Sequence, residues 1–423
     1  MAKLIVIPKP SDLTGMSSMA MAGGFAAAAD LPSQRQTLEI RREALMTFAR
    51  TMAAESSRVR GTFAAAGVAD AMSADAVRAL PAVGALIVDE QLVDRFTAEG
   101  VHGALVFDNL QIPLVQSDGK AAESSAEPDF WHLEKIDIGF ARDRGLTGDG
   151  TLVGVLDTGI DAGHTEFANK TVHFQEFDLD GHVVFNTARD AGDHGTHVSG
   201  LIAGHRSGVA PGADLAVAAV LTYTDEFGRK VGYLAQILEG LNWLLSEAFR
   251  GDDAALGVDL VNASLGGSGY NNYLYSSLLT SRISNGTVMA AAIGNSGRFG
   301  IDNWGTPGGY DIAIAVGATD RNDRVADFSD WGTIPQHSGL AKPDLCAPGV
   351  DVWSAKPHGG FQEMSGTSMA CPIVAGACAL LLQADRPRYD WDADALTDDI
   401  VDLTVPITPT ARSGRGRLSL RSI

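Results

Sequence analysis

The sequence predicts an α/β fold with a mostly parallel central sheet that is flanked by helices. Two short apolar runs are typical of buried parallel strands, and each ends directly before a polar residue, Asp157 or Asn295. Two other apolar runs are typical of helices, and they begin just after His194 and Ser368. Because sites in α/β proteins lie at the carboxyl ends of the strands, we expect these four side chains to meet at one edge of the sheet.

The four residue types are those that a serine acyl-transfer enzyme needs. Ser368 is the candidate nucleophile, and a serine hydroxyl requires an adjacent base. His194 is the candidate base, and Asp157 would hold its imidazole in the correct tautomer. Asn295 would donate its amide to the oxyanion beside the backbone N–H of Ser368. Taken alone, Asn295 is typical of a turn, and only the other three residues favour the catalytic interpretation.

Two neighbouring residues compete for these roles. His197 lies three residues after His194, so the two share one helix face, and a metal-binding pair is the alternative interpretation. No glutamate in an HExxH-type motif accompanies them. Asp161 is the nearest competing carboxylate, and we expect it to be a solvent-facing turn residue.

Several motifs in one order resemble the subtilisin-like serine proteases (subtilases). They run from about Trp131 to the C-terminus, and the chain order Asp, His, Ser is that of subtilisin itself. The resemblance implies a serine endopeptidase that works through an acyl-enzyme intermediate, with His194 as the base and His197 packed inside its helix. The motifs are 155–161, 194–198, 262–267, 315–318, 347–350 and 366–370.

The resemblance also implies where an extended peptide would bind. Main-chain hydrogen bonds to two flanking segments would supply much of the affinity. Leu265 and Leu234 are expected to line an apolar pocket, and Gly294 to shape the pocket for the residue before the cleaved bond. The implied substrate-binding residues are Ser264, Leu265, Gly266, Gly232, Leu234 and Gly294.

The chain departs from the best-known subtilases at their calcium loop. The run 203–211, after the helix of His194, is too short to hold that loop. Glu166 stands where those members place a calcium-binding aspartate, so we predict no metal site and no cofactor. The cysteines Cys346, Cys371 and Cys378 form no disulfide framework.

Composition limits the possible partners and the location. The formal net charge of −20 argues against nucleic acid, which needs a basic surface. No run predicts a membrane helix, and the apolar run within Met1–Pro10 is too short for a signal peptide. We therefore expect a cytoplasmic protein whose partner is a peptide or protein substrate, and secretion by another route is the open alternative.

The sequence predicts three regions. Residues 1–115 are expected to form a small α+β domain of ferredoxin-like fold, with residues 11–34 poorly ordered, and they resemble the inhibitory propeptides of subtilases. Residues 116–128 are a polar linker, and residues 129–423 are the catalytic domain. The N-terminal domain would then be an intramolecular inhibitor and the chain a zymogen. The alternative is an unrelated accessory or dimerisation module.

The N-terminal prediction rests on five elements. Their order is one strand short of a βαββαβ unit. They are a strand at Lys3–Ile7, a helix at Arg41–Ala54, a short strand at Val68–Met72, a helix at Ser73–Leu80 and a strand at Ala85–Val88.

Two other functions remain open from the sequence. A binding protein on an inactive scaffold would lack a catalytic residue, and none of the four is missing here. An ester hydrolase would use the same acyl chemistry, but it would not need the strand-like peptide-binding segments.

Overall fold

This computed structural model describes residues 3–8, 57, 77–89, 104–107, 109–115, 127–250, 257–268, 274–275, 278, 286–337, 339–389 and 392–423. Over these residues the strands are β1 (Lys3–Pro8), β2 (Val77–Leu80), β3 (Ala85–Asp89), β4 (Ala104–Phe107), β5 (Gln111–Pro113), β6 (Leu152–Asp157), β7 (Val172–Phe177), β8 (Val183–Phe185), β9 (Asp214–Ala219), β10 (Tyr223–Thr224), β11 (Lys230–Tyr233), β12 (Leu260–Ala263), β13 (Gly267–Ser268), β14 (Val288–Ala292), β15 (Gly305–Thr306), β16 (Ile314–Thr319), β17 (Gly332–Ile334), β18 (Leu340–Lys342), β19 (Leu345–Pro348), β20 (Val352–Ala355), β21 (Phe361–Met364), β22 (Thr404–Val405) and β23 (Arg417–Leu418). The helices are α1 (Trp131–Lys135), α2 (Ile138–Asp143), α3 (His194–Ala203), α4 (Leu234–Ser246), α5 (Thr367–Ala384), α6 (Arg386–Tyr389), α7 (Ala393–Asp402) and α8 (Thr410–Ser413).

A ten-stranded sheet forms the centre of the molecule. Its strand order is β22-β23-β19-β16-β14-β12-β6-β9-β7-β8. Every neighbouring pair from β23 to β7 is parallel, and only the edge strands β22 and β8 are antiparallel. The predicted α/β class with a mostly parallel sheet is confirmed.

Helices cover both faces of this sheet, because alternate residues of a strand point to opposite sides. On one face, Val155 of β6 belongs to the same buried cluster as Val198 of α3 and Ile373 of α5. On the other face, Leu156 packs in the cluster that holds Leu241 of α4. The first face thus carries the two helices that begin at the candidate histidine and serine.

The central helix α5 carries a proline close to its start. Pro372 has no N–H, so it cannot donate to the carbonyl of Ser368 four residues earlier. The Ser264 hydroxyl donates to that carbonyl instead, at 3.0 Å. By length and composition α5 could cross a membrane, but 89% of it is buried within the domain, as in the core helix of a globular protein.

The N-terminal strands form a separate four-stranded antiparallel sheet of order β2-β3-β1-β4. Strands β1 and β3 lie where the sequence predicted strands, at Lys3–Ile7 and Ala85–Val88. The predicted helix Arg41–Ala54 and the predicted strand Val68–Met72 lie outside the described residues.

The predicted helix at Ser73–Leu80 is wrong over its described part. Val77–Leu80 is a strand that pairs with β3 through a four-residue turn ending at Gly84, whose φ is +65°. The serine cap and the acidic first turn favour a helix locally. Pairing with β3 overrides this preference, because it buries Val77 and Leu80 at the two ends of the strand.

Candidate active site

Asp157 and His194 meet at the carboxyl edge of the central sheet. The carboxylate ends β6, and the histidine is the first residue of α3. The imidazole Nδ1 lies 2.8 Å from Oδ1 and 3.0 Å from Oδ2 of Asp157. A Cβ on Gly195 would lie 2.1 Å from the carbonyl oxygen of Gly159, so only glycine lets the helix start so close to the strand end.

The charge environment makes His194 a stronger base. Burial lowers its pKa, but the charge and hydrogen bond of Asp157, with help from Asp193 and Asp190, outweigh burial and raise the pKa overall. The Nε2 atom is buried and has no hydrogen-bond partner among the described residues. It is therefore ready to accept a proton.

Asp190 is a supporting residue that the sequence reasoning missed. Its Oδ1 accepts a hydrogen bond from the Thr158 hydroxyl at 2.6 Å, and its Oδ2 accepts from the Thr196 N–H at 2.8 Å. Asp190 thus ties the residue after Asp157 to the first turn of α3. The one feature of the sequence that could have pointed to Asp190 is its position four residues before His194.

Ser368 is the second residue of α5 and is fully buried. In the first turn of a helix the backbone N–H groups have no intrahelical partners. The Ser368 hydroxyl donates to the carbonyl oxygen of Val115 at 2.9 Å, and the Ser264 carbonyl lies 3.4 Å away. The serine therefore contacts a backbone carbonyl that belongs to the N-terminal part of the chain.

Asn295 lies directly beside the start of the same helix. Its Oδ1 accepts hydrogen bonds from both the N–H and the hydroxyl of Thr367, each at 2.9 Å. Because these bonds engage the oxygen, they fix the plane of the amide and the direction of its NH₂ group.

His197 and Asp161 have structural contacts. The Nε2 of His197 lies 3.1 Å from the Val352 carbonyl and 3.2 Å from the Gln362 carbonyl, so the ring ties α3 to the β20–β21 hairpin. Burial, the largest cause, lowers the pKa of His197 to about 3, which keeps the ring neutral. Asp161 accepts the backbone N–H of His358 at 2.7 Å in a loop, as a turn residue does.

An extended segment of the chain lies across this site between two flanking segments. Strand β5 pairs antiparallel with β11, with Ile112 opposite Gly232. On the other side Leu114 bridges to Leu265, and the Gly266 N–H donates to the Pro113 carbonyl at 3.2 Å. These are the two segments predicted to bind a peptide.

A side chain of that segment packs in the same hydrophobic cluster as the two leucines that were predicted to line an apolar pocket. Ile112 is buried in the same cluster as Leu234 and Leu265. Gly294 contacts the other part of the site, because its N–H donates to the Thr367 hydroxyl at 3.3 Å. Its φ of +121° is one that side chains rarely adopt.

Glu166 bonds to the short run 203–211, which replaces the calcium loop of the best-known subtilases. Its carboxylate accepts the Ser207 N–H at 2.9 Å, the Ser207 hydroxyl at 2.7 Å and the Arg206 N–H at 3.1 Å. Protein donors thus occupy the carboxylate that the resemblance associated with calcium. Across the part of the chain that the structure describes, no group of three His, Cys, Asp or Glu side chains could hold a metal ion.

Comparison with known proteins matches the same region of the chain. The model of the subtilase family matches residues 148–410, more than half of the chain. The chain is 34% identical over 310 residues to the subtilisin-like protease PopC of Myxococcus xanthus, covering 67% of this chain but only 62% of that protein. It is 37% identical over 262 residues to subtilisin BL of Lederbergia lenta, covering 60% of this chain and 84% of that protein.

These matches bear on the predictions from sequence in two ways. The predicted cytoplasmic location has no support in them. The predicted family is confirmed, and the chain belongs to the subtilase family of serine endopeptidases.

Proposed function

We propose that this chain hydrolyses peptide bonds with Ser368 as nucleophile, His194 as general base and acid, Asp157 as the orienting carboxylate and Asn295 as oxyanion donor. The observation that carries the proposal is the 2.9 Å contact between the Ser368 hydroxyl and the carbonyl of Val115. That carbonyl belongs to an extended backbone held on both sides, as a peptide substrate would be.

The proton path follows from the contacts of His194. Ser368 Oγ attacks the carbonyl carbon of the substrate, and its proton passes to Nε2 of His194, which has no hydrogen-bond partner among the described residues. Asp157 accepts the Nδ1–H and stabilises the imidazolium. The imidazolium then gives its proton to the leaving amine as the peptide bond breaks. Water next attacks the acyl carbon while His194 accepts its proton, and His194 returns that proton to Ser368 Oγ as the ester bond breaks.

The oxyanion receives two donors in this scheme. The N–H of Ser368 lies in the first turn of α5, and the amide of Asn295 is oriented by Thr367. Both donors are in place before the reaction, so they stabilise the charge that develops on the carbonyl oxygen without reorganisation.

The test is turnover and labelling of the wild type beside Ser368→Ala. We expect the wild type to release peptides from a proteome-derived library, identified by mass spectrometry, and to be labelled by a fluorophosphonate at Ser368. Ser368→Ala should lose both activities. Labelling at another serine would refute the assignment.

The peptide-binding segments favour a protease over an ester hydrolase or an inactive binding scaffold. Small ester reporters do not discriminate, because the same acyl chemistry cleaves them. Cleavage of esters without any cleavage of peptides would support the ester hydrolase. Tight peptide binding without turnover would support the scaffold.

The N-terminal region acts in this proposal as an intramolecular inhibitor. It contacts the catalytic domain beyond the cleft, since Arg78 of β2 pairs with Glu239 of α4 at 3.3 Å and donates to the Gly181 carbonyl at 3.0 Å. The Ala82 N–H also donates to the Asn242 side chain at 3.0 Å. These contacts hold β2 and the turn after it against the catalytic domain.

The start of α4 provides a further anchor. The Asn109 side chain accepts the Ala235 N–H at 2.9 Å and donates to the Leu179 carbonyl at 3.0 Å. The carbonyl of Leu110 accepts the N–H of Leu234 at 2.9 Å. The N-terminal region thus caps a helix of the catalytic domain, and we expect its removal to open the cleft.

We also infer that the enzyme is secreted. The relatives of this chain favour secretion over the cytoplasmic location that the short apolar run at the N-terminus predicted. Fractionation of the source cells tests this inference, and recovery of all the protein from the cytoplasm would contradict it.

A further inference from the structure

We propose that Asp330 is a positioning residue for the oxyanion donor Asn295. Asp330 lies outside the triad, in the turn between β16 and β17, and only 4% of it is exposed. The inference rests on the proposed function, in which Asn295 contacts the oxyanion.

Asp330 holds the backbone on both sides of Asn295. Its Oδ1 accepts the N–H of Ser296 at 2.7 Å, and its own N–H donates to the Gly294 carbonyl at 3.0 Å. The residue before Asn295 and the residue after it are therefore both bonded to this one aspartate.

The carboxylate is packed closely against the same loop. A Cβ built on Gly294 would lie 2.0 Å from Asp330 Oδ2, so this close approach requires glycine at that position. Burial raises the pKa of Asp330 to about 7, although the hydrogen bond from the Ser296 N–H acts in the opposite direction. A carboxyl is costly to bury, and the bonds of Asp330 to this loop compensate part of that cost.

Asn295 is thus held by two independent contacts. Thr367 engages its side-chain oxygen, and Asp330 fixes the backbone from which the side chain extends. An oxyanion donor works only when it is placed accurately before the reaction. Loss of Asp330 should move the amide away from the developing charge while the bonds from Thr367 remain.

The first test compares Asp330→Ala with Asp330→Asn. A misplacement of about 1 Å costs up to roughly 10²-fold, so we expect Asp330→Ala to lower kcat by about 10- to 100-fold with KM nearly unchanged. Asp330→Asn keeps an oxygen acceptor for the Ser296 N–H and should restore most of kcat. An unchanged kcat in a folded Asp330→Ala protein would overturn the proposal.

Ser329→Ala is the matched control for the same turn. Ser329 is buried, and its hydroxyl accepts the N–H of Ala318 in β16 at 3.1 Å. We expect this variant to lose stability without a specific loss of kcat. An equal loss of kcat in Ser329→Ala and Asp330→Ala would show a structural effect of the turn and overturn the positioning role.

A double-mutant cycle with Asn295→Ala separates the two proposals. If Asp330 acts through Asn295, then Asp330→Ala should cause little further loss of kcat in the Asn295→Ala background. If the two losses multiply, Asp330 does not act through Asn295, and only its positioning role is overturned. If Asn295→Ala alone leaves kcat unchanged, the proposed role of Asn295 fails, and that of Asp330 fails with it.

Discussion

The Ser368 hydroxyl lies 2.9 Å from the carbonyl oxygen of Val115, a residue 253 positions earlier in the chain. The strand leading to Val115 is paired on both sides, so the Val115 carbonyl that Ser368 contacts belongs to an extended segment held between two neighbours. A tethered segment has a high effective concentration at its binding site. The same contact therefore links the proposed catalysis to the proposed inhibition.

The first prediction is self-processing at this bond. Purified wild-type enzyme should show a new N-terminus at Gln116, because the Val115 carbonyl is the one that Ser368 contacts. The Ser368→Ala variant should stay full length. N-terminal sequencing and intact mass measure both outcomes. An intact and fully active wild type would leave the N-terminal region without an inhibitory role.

The second prediction concerns the pocket of Ile112. Ile112→Asp should slow processing by roughly tenfold or more, because a carboxylate would be buried in the hydrophobic cluster that holds Leu234 and Leu265. Ile112→Leu is the matched control and should process normally. The rate follows from the appearance of the cleaved chain on a gel. Equal rates for the two variants would show that this pocket does not hold the segment during cleavage.

The third prediction separates the two histidines of α3. His194→Ala should abolish turnover, whereas His197→Ala should lower the free energy of unfolding by roughly 1–3 kcal/mol, since it removes a buried hydrogen-bonding group. The reason is that the imidazole of His197 bonds to the Val352 and Gln362 carbonyls of the β20–β21 hairpin. Denaturant unfolding and kcat measure the two effects. An inactive but fully stable His197→Ala would reverse the assignment.

Local sequence was enough to predict the edge of the sheet where the four candidate residues lie. Apolar runs ending at Asp157 and Asn295 identified buried strands, and the runs after His194 and Ser368 identified helix starts. These signals are local, because burial of a strand or helix imposes a pattern on its own residues.

Pairing between distant segments was not predictable in the same way. Val77–Leu80 has local signals of a helix but forms a strand with β3. Asp330 and Asp190 act through contacts to residues that the chain brings close only on folding. No periodicity in the sequence records such contacts, so Asp330 had no signal beyond its residue type and Asp190 had only its position four residues before His194.

The fourth prediction tests the amide of Asn295. Asn295→Ala should lower kcat by roughly 10²–10³-fold, the loss known for the corresponding amide donor in subtilisin itself, with little change in KM. The reason is that the amide meets a full charge only in the transition state. Steady-state kinetics on one peptide substrate measures both constants. A change confined to KM would contradict the role.

The last prediction is a pH dependence of inhibition that depends on Glu239. Burial raises the pKa of Glu239 to about 7 from its ordinary 4.5, although the charge of Arg78 acts in the opposite direction. Arg78 of the N-terminal region lies 3.3 Å from Glu239, so we expect departure of that region to expose Glu239 and to return its pKa toward the ordinary value. Between pH 4.5 and about 7, Glu239 therefore holds a proton in the inhibited state and has lost it in the free enzyme. Inhibition should be strongest below pH 4.5, the ordinary pKa of the group, and should weaken as pH rises toward 7, by at most about tenfold per pH unit.

The measurement is the inhibition constant of the cleaved N-terminal fragment across this pH range. Glu239→Gln removes the titrating group and should flatten the dependence, while Glu226→Gln, at an exposed glutamate, should leave it unchanged. The activity of the processed enzyme without the fragment is measured at each pH, so that titration of His194 is not mistaken for release. Inhibition that strengthens with rising pH would show that the ion pair with Arg78 outweighs the burial of Glu239.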